Sequence, residues 1–103
     1  MLHGVQLWIA LPGTDRFAAP GFTRYEPPVT DAGGAKVVVF LGSLAGQTSP
    51  VPAYPALAGA EVTLAAGHRL DVQLDAGHEH GFLCDTGSLA AGGAVARPGE
   101  IVF

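Results

Sequence analysis

Glycine and proline interrupt this chain so evenly that the longest run free of both spans nine residues, 68–76. A helix interior loses roughly 1 kcal/mol at each glycine and about 3 kcal/mol at each proline. With 15 glycines and eight prolines in 103 residues, no helix of ordinary length fits. What lies between the breaks has strand character. Val5, Leu7 and Ile9 alternate with Gln6, Trp8 and Ala10, which predicts a strand closing a sheet. Residues 37–41 are apolar on both faces and rich in β-branched side chains, which predicts a central strand. Residues 57–64 lead through Ala65-Ala66-Gly67 into Leu70, Val72 and Leu74, alternating with Asp71, Gln73 and Asp75 as in a half-buried strand. Further strands are expected at 81–84, 88–90, 94–96 and 100–103, separated by turns at Thr86-Gly87, Gly92-Gly93 and Pro98-Gly99. Many short strands with glycine-rich turns predict an all-β barrel or jelly roll.

Composition excludes several classes. Apolar residues reach 49% and charged residues only 14%, too hydrophobic a balance for a disordered chain. Five Lys and Arg against nine Asp and Glu give a net charge of −4 with no basic cluster, so binding nucleic acid through its phosphates is not expected. No apolar run approaches the ~20 residues that cross a bilayer, and no basic segment followed by an apolar one opens the chain. The expected setting is soluble and cytoplasmic, with no membrane partner. Cys84, the single cysteine, sits between Leu83 and Asp85 and reads as a buried reduced thiol. Residues 12–34, broken by Pro20, Pro27, Pro28, Gly13, Gly21, Gly33 and Gly34, read as an extended surface linker. The chain starts almost within a strand and stops at Ile101-Val102-Phe103 in what should be mid-strand, so both ends look cut. A barrel lacking strands exposes unpaired backbone groups, which predicts strand-mediated self-association.

Side chains able to hold a metal gather at His78-Glu79-His80, followed by Asp85 and preceded by His68. On a strand, His78 and His80 would share a face at a spacing suited to one ion, whereas the plainer reading is turn or pocket-lining histidines. His78, His80 and Asp85 are therefore the pocket candidates. Ser43, Ser49 and Ser88 lack the context of an activated nucleophile, and Gly42 to Gly46 lacks the lysine and following helix of a phosphate loop. Trp8 reads as a barrel plug or interface residue. Tyr25 and Tyr54 read as packing anchors for proline-rich connections.

The segment His3-Gly4-Val5-Gln6-Leu7-Trp8-Ile9-Ala10-Leu11-Pro12 resembles the pirin family's His-Gly-x-Gln-Leu-Trp-x-x-Leu-Pro string. Pro20-Gly21-Phe22 through Pro28 is similar to the family's inter-domain linker. Residues 37–46 with Thr48-Ser49-Pro50-Val51 resemble the opening of its second domain, and residues 60–67 and 72–87 continue the likeness. The resemblance implies a two-domain cupin, a double-stranded β-helix (jelly-roll) barrel incomplete here at both ends. Residues 1–12 would be the last strand of the N-terminal cupin, 13–34 the linker and 35–103 a truncated C-terminal cupin.

In such a bicupin the first domain binds iron or another divalent metal through three His and one Glu. All four would precede Met1, so the resemblance carries no catalytic, cofactor-binding or metal residue onto this chain. His78-x-His80 with Asp85 five residues later resembles the first cupin metal motif, in which a metal-binding Glu follows two His, but counting back from Gly87 sets His80 near the motif's Glu and puts residues near Asp71 and Gln73 where its histidines belong. Some family members are quercetin dioxygenase-like and open flavonols, which implies a small aromatic ligand for a full-length protein; others are regulatory. Four readings stay open: a piece of a metal-dependent dioxygenase, inactive alone; a non-enzymatic regulatory or ligand-binding cupin module; a free-standing small cupin with a site at His78, His80 and Asp85; and an inert truncated product.

Overall fold

The protein is described by a computed structural model covering residues 4–52, 57–74 and 76–103; His3, Tyr54 and Asp75 lie outside the described residues. Those residues contain nine strands and no helix, and every strand pairing is antiparallel. The all-β class follows from the punctuation and is consistent with a cupin-like fold. The chain divides into two compact units, Met1–Gln73 and Leu74–Phe103.

In the first unit, β1 (Thr30–Asp31), β2 (Ala35–Leu41) and β5 (Gly59–Leu64) form a three-stranded sheet with β2 in the centre. The central placement agrees with the β-branched run, but β2 is not buried on both faces. Ala35, Val37 and Val39 are buried while Lys36 and Phe40 are exposed, so β2 has one dry face and one wet one. β1 begins inside the stretch expected as linker and reaches β2 through Gly33-Gly34. Both glycines have positive φ, and Ala32 and Ala35 exchange backbone hydrogen bonds across them. Such a two-residue turn matches the right-handed twist of the strands it joins.

β3 (Ser43–Leu44) and β4 (Gln47–Thr48) form a hairpin around Ala45-Gly46. Just before it, the backbone of Gly42 runs so close to Leu57 that an added Cβ would lie 2.0 Å from the Leu57 carbonyl oxygen. Gly42 accepts a hydrogen bond from the amide of Ser49. The buried Ser49 hydroxyl donates to the Phe40 carbonyl (3.0 Å) and accepts from the Val51 amide (3.1 Å). The serine is thus a satisfied structural group that fixes where the chain leaves β4.

The second unit contains two ribbons. β6 (Phe82–Leu83) pairs with β9 (Ile101–Val102), and β7 (Leu89–Ala91) pairs with β8 (Ala94–Ala96) across Gly92-Gly93. Cys84 and Ala96 are its buried apolar residues among those described. The Cys84 amide donates to the Glu100 carbonyl and its carbonyl accepts from Gly99, extending the β6–β9 ribbon by a residue. Gly99, at φ +85°, follows Pro98 in the turn that Glu100 closes on Arg97, an arrangement that suits a type II turn.

Two expected strands are not formed. Residues 4–11 carry no strand, and Val5, Leu7, Trp8, Ile9 and Leu11 are all exposed, Trp8 at 89%. Residues 70–74 keep part of the anticipated alternation, with Leu70 and Val72 half-buried, yet form no strand among the described residues. A period of two fixes which side chains share a face but supplies no neighbouring strand, and without a ladder there is no strand.

Candidate functional site

An open depression of about 450 Å³ in the second unit is lined by His78, Glu79, His80 and Phe103. The turn at residues 76–77 delivers the first three, and the chain then enters β6 at Phe82. Although residues 78–80 are not a strand, their burial alternates: His78 and His80 are half-buried and Glu79 is exposed. Both histidines, two residues apart, line the depression. Phe103 reaches the same depression because β9 pairs with β6 in the register Phe82 with Val102 and Leu83 with Ile101. Its ring is 96% exposed.

His80 Nε2 is buried without a hydrogen-bond partner. A buried imidazole nitrogen left unmatched costs about 1–3 kcal/mol, so this atom is where the site is least satisfied. Asp85, the third candidate, is exposed and is not among the residues lining the depression. It lies beyond β6 and Cys84, in the turn at Thr86-Gly87.

Among the described residues no three His, Cys, Asp or Glu side chains converge on a common point. His68 is used elsewhere, its ring lying against Gly34 where a Cβ would stand 2.2 Å from Cδ2. His68 Nδ1 lies 3.3 Å from the Ala66 carbonyl, and its amide donates to Ala65. His68 therefore secures the turn at residues 66–67 against the β1–β2 hairpin. Cys84 is equally structural: it is buried, and its thiol points to the Thr86 and Gly87 carbonyls at 3.7 Å each.

The depression presents two imidazoles, a carboxylate and an exposed phenyl ring. Such a set can stack an aromatic group and hydrogen-bond its hydroxyls. The sequence pointed to the histidines and omitted Phe103, whose place depends on the long-range pairing of β6 with β9. Phe103, the one aromatic residue after Phe82, was the available signal.

The chain is 33% identical over 102 residues to a Pseudomonas aeruginosa protein named "putative quercetin 2,3-dioxygenase". The match takes in 98% of this chain and about a third (32%) of that protein's length. No family model matches the chain. No solved structure matches it either. The likeness supports a quercetin dioxygenase-like, cupin kinship, with which the antiparallel all-β architecture is consistent.

Proposed function

We propose that this chain is a non-catalytic part of a pirin-like bicupin, whose full-length form carries out metal-assisted opening of a flavonol-like substrate in the cytoplasm. The observation that carries this reading is the likeness, over nearly the whole chain, to a protein named for quercetin dioxygenation of which it spans only a third. In this reading iron or another divalent ion belongs to a first cupin domain, which would supply the oxygen chemistry. This chain would supply the end of that domain at residues 1–12, the linker at 13–34 and a second, metal-free barrel at 35–103. No chemical step is assigned to His78 and His80.

Elemental analysis of the purified chain for iron, nickel, manganese and zinc, run beside circular dichroism, tests the reading. A folded chain without metal, inert toward quercetin and oxygen, is the expected result. Near-stoichiometric metal that disappears in His80→Ala would sink it and establish a small free-standing cupin.

The depression at His78, Glu79, His80 and Phe103 favours a second reading, a ligand-binding module without catalysis. Quercetin can serve as the probe. Saturable shifts of the His78 and His80 ring resonances, abolished in Phe103→Ala, would favour binding; unchanged resonances would remove that reading.

A further inference from the structure

We infer that the outer edge of β5 pairs with β5 of a second copy of this chain, antiparallel and centred on Val62. Among the described residues β5 is the last strand of its sheet and pairs with β2 alone. Its register on β2 sets Ala60, Val62 and Leu64 opposite Val39, Val37 and Ala35, the three buried residues of the sheet. Val37 is 0% exposed while its neighbour Val62 is 45% exposed, so the dry face extends to β5 and loses its cover there. The opposite edge is blunted: β1 is two residues long, carries Asp31 and follows Pro27-Pro28. β5 has no proline, no lysine and no bulge on its free side; the one irregularity faces β2, between Val39 and Leu41.

The sequence of this edge suits its own copy. A twofold axis perpendicular to the sheet keeps the apolar faces together only when residues of like face stand opposite one another. Centred on Val62, it sets Val62 against Val62, Ala60 against Leu64, and Glu61 against Thr63. Centring on Glu61 instead would oppose two carboxylates, which costs stability. The chosen register thus joins the apolar residues, separates the like charges and turns two three-stranded sheets into one of six strands.

Sedimentation equilibrium on the intact chain and two variants tests the pairing. Thr63→Glu sets its new carboxylate against that of Glu61 twice across the twofold, and within the chain position 63 faces Lys36, so the change should not harm the sheet itself. We expect a dimer for the wild type, dissociation roughly tenfold easier in Thr63→Glu at unchanged circular dichroism, and recovery in the double variant Glu61→Lys, Thr63→Glu. A wild-type monomer from micromolar to hundreds of micromolar overturns the proposal. So does a dimer that ignores Thr63→Glu, or one that the double variant fails to restore.

Discussion

Ala45 occupies a backbone conformation that disfavours side chains: φ is +50° there, the one positive value outside glycine among the described residues. It precedes Gly46, at +78°, and the pair forms the two-residue turn between β3 and β4, where glycine or asparagine is the usual first residue. A Cβ in this left-handed region costs about 1–2 kcal/mol, partly returned by the unfolded-state entropy that glycine adds. Ala45→Gly should therefore raise the stability of the first unit by up to about 1 kcal/mol, seen as a later urea midpoint with unchanged slope. Val37 makes the opposite case. It is the largest fully buried side chain, and Val37→Ala should cost about 2 kcal/mol, whereas Val62→Ala in the monomer should cost well under 1 kcal/mol because that position is partly solvated already.

Among the elements, β2 and β5 share the longest ladder, and Gly59 shows how its end is finished. The register shifts between Val39 and Leu41, and the Phe40 ring lies over Gly59, where a Cβ would come within 2.5 Å of it. An aromatic ring thereby covers the bare backbone of a strand glycine at an irregularity. Gly42→Ala should be more damaging than Gly59→Ala, because its added methyl meets the Leu57 carbonyl, fixed backbone, instead of a movable ring. We expect a loss above about 2 kcal/mol at Gly42, from the clash and the positive φ together, read by thermal unfolding. The strands legible in the sequence are marked either by turns written beside them, as for β6, β7, β8 and β9 between Thr86-Gly87, Gly92-Gly93 and Pro98-Gly99, or by apolar, β-branched runs, as for β2 and β5. Residues 4–11 and 70–74 alternate in the same way, but no partner among the described residues converts the pattern into a ladder. The candidate site divides in the same way. His78 and His80, two residues apart, both line the depression, while Phe103 enters and Asp85 stays out for reasons that reside in the pairing of β6 with β9.

At the scale of the whole molecule, the chain carries two units of unequal endowment. The first holds Ala35, Val37, Val39 and Ser49 at its centre; the second, of thirty residues, buries Cys84 and Ala96 among those described. Thirty residues with so little burial lie below the size at which domains usually hold without help. Native-state hydrogen exchange should therefore find the slowest amides in β2 and β5, with β6 to β9 exchanging at least tenfold faster. Equal protection in both units would contradict this. The exposed Trp8 should also give an emission maximum close to that of free tryptophan, and together with Phe17 and Phe22 it should bind a hydrophobic dye before any denaturant is added. The position of Cys84 has a practical consequence as well. As the sole thiol, shut behind the Thr86 and Gly87 carbonyls, it can react with a soluble disulfide reagent only when the second unit opens, so its labelling rate acts as a clock for that opening while the first unit stays silent.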